Sequence, residues 1–242
     1  MQIVADLHTH TNVSHHAFST LEEMIAGARR AGLYAIAITN HGPAMEDGAH
    51  PWHFSSYRTA PRRMDGVYLL SGIEMNILPG GRVDEIEYGR IRKLDFFIAS
   101  FHEPCFPPAT AAEHTAALEQ ILRNPMINCL GHLGNPNFPF DHERIISQCN
   151  AFGKIVEINN NSVNVRRGSE ENCRDIARLC KQYRVPVAVN TDAHISYAVG
   201  QVEGAMAMLE SMDFPEELVI NSSLERLRDY FFQLRQIDIL AE

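Results

Sequence analysis

The chain has 242 residues, 45% hydrophobic and 21% charged, with a formal net charge of -9. Those proportions exclude a disordered segment and fit one sizeable α/β domain over 1–242. Basic residues adjoin mainly as Arg29-Arg30, Arg62-Arg63 and Arg166-Arg167, so a dedicated nucleic-acid surface is not expected.

Apolar periodicity predicts a first strand over 3–7, then a helix over 21–31 that Ser19-x-x-Glu22 caps and Gly32 ends. Strands follow over 35–39 and 67–73, separated by an irregular excursion at 50–63, and Gly80-Gly81 reads as a turn. Strands over 96–101, 127–130, 155–158 and 187–189 alternate with helical patterns at 111–122, 141–152, 169–182 and 197–209. Ser169 before Glu170 and Glu171 is the expected capped start of the third of these. Seven apolar strands alternating with helices argue for a parallel sheet buried on both faces, whether closed or open.

No stretch reaches the ~18 apolar residues of a membrane span, and Met1 leads into Ile3-Val4-Ala5-Asp6 without the basic and apolar regions of a leader. Five cysteines without a C-x-x-C pair suit a reducing, cytoplasmic setting.

The histidines and carboxylates fall at strand ends. His8 and His10 follow the first strand as Asp6-Leu7-His8-Thr9-His10, and an i, i+2 pair in extended chain projects to one side. His41 follows the second strand, Glu74 the third, His102 the fourth, His132 the fifth, and Asp192-x-His194 the seventh. In a parallel sheet those ends converge on one face, where separate loops build a site. Imidazole and carboxylate donors without thiolates point to catalytic zinc, manganese or iron. With one histidine of Asn12-Val13-Ser14-His15-His16 the donors are enough for two or three ions, with Glu74 and Asp192 as natural bridges; spacing leaves the choice between His15 and His16 open.

Asp6-Leu7-His8-Thr9-His10, Thr39-Asn40-His41-Gly42, Gly72-Ile73-Glu74 and Asp192-Ala193-His194 together resemble the PHP (polymerase and histidinol phosphatase) family. His41-Gly42-Pro43, Trp52-His53-Phe54, Phe101-His102-Glu103-Pro104, Gly134-Asn135-Pro136, Glu157-Ile158-Asn159-Asn160 and Gly168-Ser169-Glu170-x-Asn172-Cys173 are similar to its YcdX-like phosphatase branch. The resemblance implies a distorted (β/α)7 barrel, a trinuclear zinc centre with manganese or iron at individual sites, and a homotrimer. It implies nine ligands, His8, His10, His16, His41, Glu74, His102, His132, Asp192 and His194, preferring His16 because the third histidine of that loop precedes Ala17-Phe18-Ser19. Many relatives carry Asp where this chain has Asn40, a change beside a ligand.

The expected chemistry is phosphate monoester hydrolysis by a metal-bridging hydroxide, with His10, Glu74 and Asp192 central. Arg166 and Arg167 are candidate phosphate contacts, Arg62 and Arg63 weaker ones. Trp52 and Phe54 read as a small satellite core around His53, Cys105 as structural, and His50, His114 and His142 as surface or loop residues. Two other function classes compete: an amidohydrolase-type cleavage of C-N or ester bonds, and a non-enzymatic accessory module.

Overall fold

In the computed structural model, which describes residues 1–240, seven parallel strands lie side by side in chain order. They are β1 (Ala5–Thr9), β2 (Ala35–Ile38), β3 (Val67–Leu78), β4 (Phe96–Ser100), β5 (Cys129–Leu130), β6 (Ile155–Asn159) and β7 (Val187–Asn190). A parallel bridge from Thr9 to Ala193 spans the seam between the last and first strands, and His10 N–H donates to the Ala193 carbonyl at 2.8 Å. The sheet is therefore a nearly closed barrel of the expected (β/α)7 type.

Strand alternation sorts the side chains. Residues Ala5, Leu7, Ala35, Ala37, Leu70, Phe96, Ile98 and Ala188 form one buried cluster, while Ile36, Ile38, Val67 and Leu69 pack outward against Met24, Ile25 and Ala28 of the helix Leu21–Arg30. The inner cluster is plugged from below by Leu227 and Phe231 of the helix Leu224–Arg235. Followed upward along β3 and β6, the same inward parity leads from Leu70 to Glu74 and from Ile155 to Glu157. The upper barrel is thus polar and the lower barrel apolar.

β3 is the hinge of the barrel. Its first half pairs with β2 up to Ile38↔Ser71, and its second half pairs with β4 from Gly72↔Phe96 to Asn76↔Ser100. A Cβ on Gly72 would sit 2.7 Å from Thr39 Cγ2 and 2.9 Å from the Phe96 carbonyl, so only glycine fits where the strand changes partner.

Several expected elements move. Glu74 lies within β3 rather than after it. The first helix is capped one residue later than expected: Thr20 and Glu23 form the reciprocal box, because the Ser19 hydroxyl instead accepts from Ser196 N–H at 3.0 Å. Ser169 precedes the helix Glu170–Tyr183 but makes no cap hydrogen bond. The helical pattern at 141–152 resolves into His142–Ile146 and the turn Asn150–Phe152, and that at 197–209 into the turn Ser196–Ala198 and the helix Glu203–Ser211. The excursion contains the short helix Pro51–Ser56, with proline at its start. The helix Leu224–Arg235 was not expected, although Ser223 caps it. No helix among the described residues is long and apolar enough to cross a membrane.

Candidate metal centre

The upper rim of the barrel brings all nine expected ligands together. Glu74 is the hub, fully buried, and its two oxygens face different histidines. Oε1 lies 2.9 Å from His132 Nε2, 3.3 Å from His8 Nε2 and 3.4 Å from His102 Nε2. Oε2 lies 2.7 Å from His41 Nδ1 and 3.5 Å from His10 Nε2. Asp192 Oδ1 faces His10 Nε2 at 3.1 Å, His8 Nε2 at 3.5 Å and His194 Nδ1 at 3.7 Å. His16, on the exposed lip, places its Nε2 2.8 Å from His194 Nε2 and 3.3 Å from His41 Nε2. His15 is exposed, and its backbone N–H donates to the Asp47 carbonyl.

Two local distortions aim these groups. The β1–β2 register shifts between Asp6 and Thr9, which lets His8 and His10 face the barrel interior beside the inward row of Ala5 and Leu7. His132 and Asp192 occupy left-handed backbone conformations, with φ of 28° and 57°, strained for non-glycine residues and typical of positions held for a purpose.

The donor set fits metal ions on its own geometry. Three overlapping triplets, His10 with His41 and His194, His8 with His10 and Glu74, and His41 with Glu74 and His102, each hold one donor atom per residue within 4.8 Å of the others. Ligands bound 2.0–2.1 Å from one tetrahedral ion stand about 3.3 Å apart, and the separations above bracket that value. Buried His8 Nε2, both ring nitrogens of His10, His41 Nδ1 and Glu74 Oε2 make no well-aligned hydrogen bond. Buried polar atoms are ordinarily paired, and these crowd together, Glu74 Oε2 2.7 Å from His41 Nδ1 and His10 Nε2 3.1 Å from Asp192 Oδ1, without the alignment of hydrogen bonds, as donor atoms around a shared ion do.

Electrostatics keeps the donors ready. Burial, then the neighbouring His194 and His41, holds His10 well below the ordinary histidine range; burial puts His41 at about 4. Both rings are therefore neutral at pH 7, the form in which an imidazole binds metal. Burial opposes charge on Glu74, but His8, His102 and His41 hold its carboxyl well below the usual range. Burial likewise opposes charge on Asp192, which His8, His10 and Arg166 keep ionised. His8 is the exception: burial acts downward, yet Glu157, Glu74 and Asp192 hold it well above the ordinary value.

An outer ring orients the ligands. Glu157 Oε1 lies 2.7 Å from His8 Nδ1 and accepts from Asn190 Nδ2, while Oε2 accepts from the His132 backbone N–H and Asn159 Nδ2. Once an ion displaces the second proton of His8, the remaining one stays on Nδ1 against Glu157 and Nε2 is free toward Glu74 and Asp192. Asp47 sits against His16 Nδ1 at 2.5 Å and Asn76 Oδ1 against His102 Nδ1 at 2.8 Å. None of the three orienting residues was singled out for this role from sequence. Glu157 and Asn76 share the inward parity of Glu74 and were findable by it; Asp47, in a loop, carries no such signal.

Asn40 touches no ligand side chain. Its Oδ1 accepts from Thr11 N–H and Ser14 Oγ, its Nδ2 donates to Thr11 Oγ1 at 2.9 Å, and Ser14 Oγ accepts from the His41 N–H. Both ends of the amide are thus in use within this loop.

A cleft of about 400 Å³ opens beside His102, lined also by Glu103, Asn135, Asn137, Arg166 and Arg167. Arg166 Nη2 donates to Asp192 Oδ2 at 3.2 Å, which ties the cleft to the centre. Arg62 and Arg63 are not part of it: Arg62 pairs with Asp95, and Arg63 stacks on Tyr34 and Tyr68. His114 is fully buried, with Nδ1 2.8 Å from the Pro139 carbonyl, contrary to the surface placement expected of it. His53 meets Asn40 and Tyr57 beside buried Phe54, whereas Trp52 is exposed and not part of a core. Burial raises the Cys105 thiol to about 11, which suits an inert thiol.

The family model described as PHP domain matches residues 6–192. A protein of Acetivibrio thermocellus named probable phosphatase is 43% identical over 232 residues, 95% of each chain. Another probable phosphatase, of Caldanaerobacter subterraneus subsp. tengcongensis, is 43% identical over 239 residues, 98% of this chain and 94% of its own. Among solved structures, the histidinol phosphate phosphatase of Lactococcus lactis, complexed with zinc, L-histidinol and phosphate, superposes with a TM-score of 0.66 at 18% identity over 89% of this chain and 95% of that one. A probable 2-pyrone-4,6-dicarboxylic acid hydrolase of Acinetobacter baumannii reaches 0.54 at 12% identity over 96% and 99%. At these identities the two structures speak to the fold alone.

Proposed function

Because the chain belongs to the PHP domain family, we propose that it is a metal-dependent phosphatase, hydrolysing phosphate monoesters with three divalent ions held by its nine converging ligands. The observation that carries this reading is the set of buried donor atoms on His8, His10, His41 and Glu74 that converge in triplets within 4.8 Å without well-aligned hydrogen bonds. Zinc suits the imidazole and carboxylate donors, with manganese or iron at individual sites. When bound, such ions lower the pKa of water from 15.7 toward ~7 and neutralise phosphate charge, so a bridging hydroxide is the nucleophile of this reading.

The chain's own residues divide the remaining work. Glu74 presents one oxygen to each of two histidine sets, the arrangement a bridging carboxylate needs. Asp192 keeps Oδ1 toward His8 and His10 while Arg166 and Asn159 hold Oδ2, which fixes its orientation. Arg166 and Arg167 line the cleft and meet phosphate oxygens of a small substrate. The guanidinium groups favour a phosphate over the neutral amide or lactone of the amidohydrolase-type reading. A cytoplasmic homotrimer completes the proposal.

The test is metal analysis on protein purified without chelators, with p-nitrophenyl phosphate, simple amides and lactones assayed before and after stripping. Two to three ions per chain and a phosphatase activity lost on stripping and restored by metal support the reading. One ion or none, with metal-independent turnover, overturns it.

A further inference from the structure

Away from the metal centre, cations gather in one place. On the outer face of β3, a cleft of about 410 Å³ lies between the Pro51–Ser56 helix with its following turn Tyr57–Thr59 and the short helix Tyr88–Ile91. Five of its twelve lining residues are Arg58, Arg62, Arg90, Arg92 and Lys93, and none is acidic. The chain as a whole has 30 acidic residues against 21 basic ones, so this concentration runs against its overall charge.

Arg62 is occupied by Asp95, and Arg90 by Glu87 at 3.1 Å. Arg58, Arg92 and Lys93 are exposed and make no ion pair among the described residues. A concave surface lined by one sign of charge focuses the field and draws in counter-ions. Buried Phe54 and Leu94 supply an apolar floor. The volume falls within the ~300–1,000 Å³ of small-molecule sites.

We propose that this cleft is a second, non-catalytic binding site for a small molecule carrying two or more phosphate charges, the class of pyrophosphate or a nucleoside diphosphate. Guanidinium groups converging from two elements suit bidentate capture of phosphate oxygens, and the apolar floor accepts the uncharged part of such a ligand. The site is separate from the metal centre: none of its twelve lining residues is among the nine candidate ligands, and Tyr57, which lines it, meets His53 and the Ile38 carbonyl instead.

Pyrophosphate titrated calorimetrically into the metal-loaded protein at 0.15 M NaCl is the test. Two classes of site are expected, one in each cleft. The double substitution Arg92→Glu with Lys93→Glu weakens one class at least tenfold and leaves p-nitrophenyl phosphate turnover unchanged; Arg58→Gln, on the opposite wall, weakens the same class. Arg166→Ala weakens the other. A single class that the charge reversals leave untouched overturns the proposal, as does a second class that both the double variant and Arg58→Gln retain. Because the reversals are read by binding and not by activity, their failure is distinguishable from failure of the phosphatase reading.

Discussion

Replacing Glu157 by Gln keeps the shape of the side chain and removes two of its acceptor sites. In the native site Oε1 faces His8 Nδ1 at 2.7 Å and Asn190 Nδ2 at 3.0 Å, and Oε2 faces the His132 N–H at 2.8 Å and Asn159 Nδ2 at 3.1 Å. A carboxylate accepts from all four; an amide offers one oxygen and one NH2. Turned toward Oε2, the NH2 confronts a backbone N–H that cannot change. Turned toward Oε1, it confronts the Nδ1 proton of His8, which can move to Nε2. The second arrangement is the less costly, and it points a proton at the very atom that faces Glu74 and Asp192. His8 then ligates only after losing that proton. Outer partners of metal-bound histidines are worth ~10 to 100-fold in affinity, and at ~1.4 kcal/mol per decade the loss is about 1.4–2.8 kcal/mol. Chelator competition for zinc, on protein shown to be folded by its unfolding midpoint, measures it. A Glu157→Gln protein that binds zinc within twofold of the wild type refutes the tautomer argument.

Arg166→Ala removes both a phosphate contact and the guanidinium that holds Asp192, so KM for p-nitrophenyl phosphate rises and kcat falls. A charged hydrogen bond of about 1.5–3 kcal/mol corresponds to a ten- to hundredfold loss in kcat/KM. Arg167→Ala, with no bond to Asp192, raises KM alone, and identical kinetic signatures in the two variants would count against these roles. Burial lowers His53 from 6.5 to about 4, so between those pH values the unfolded chain takes up a proton that the folded chain refuses, and stability falls as the pH falls. In the metal-free protein, His53→Gln flattens the urea midpoint profile over that window by up to about 3 kcal/mol; an unchanged slope denies His53 this part in it. Phe231→Ala opens a cavity under the barrel, where Phe231 is fully buried and packs 5.9 Å from Phe96, and costs about 3–5 kcal/mol of stability. Zinc content at 20 °C stays at the wild-type level, because the plug lies at the opposite end from the ligands.

The convergence of the candidate ligands was legible because a parallel sheet brings strand ends together, so His41, His102, His132, Asp192 and His194 needed only their positions relative to apolar runs. Boundaries were harder for a physical reason. Ser19-x-x-Glu22 and Thr20-x-x-Glu23 satisfy the same capping pattern, and the choice is made by Ser196, a residue 177 positions away that occupies the Ser19 hydroxyl. The orienting role of Glu157 was missed for the opposite reason: it stands inside a strand whose neighbours Ile155, Val156 and Ile158 read as plain core. Its inward parity is the missing clue. A carboxylate on the side that Ile155 shares must be partnered, and the donors it meets, on His8, His132, Asn159 and Asn190, come from four different segments of the barrel rim. One buried charge therefore ties the seam strands β1 and β7 to the middle of the sheet, and a site assembled this way inherits its precision from closure of the barrel more than from any single loop.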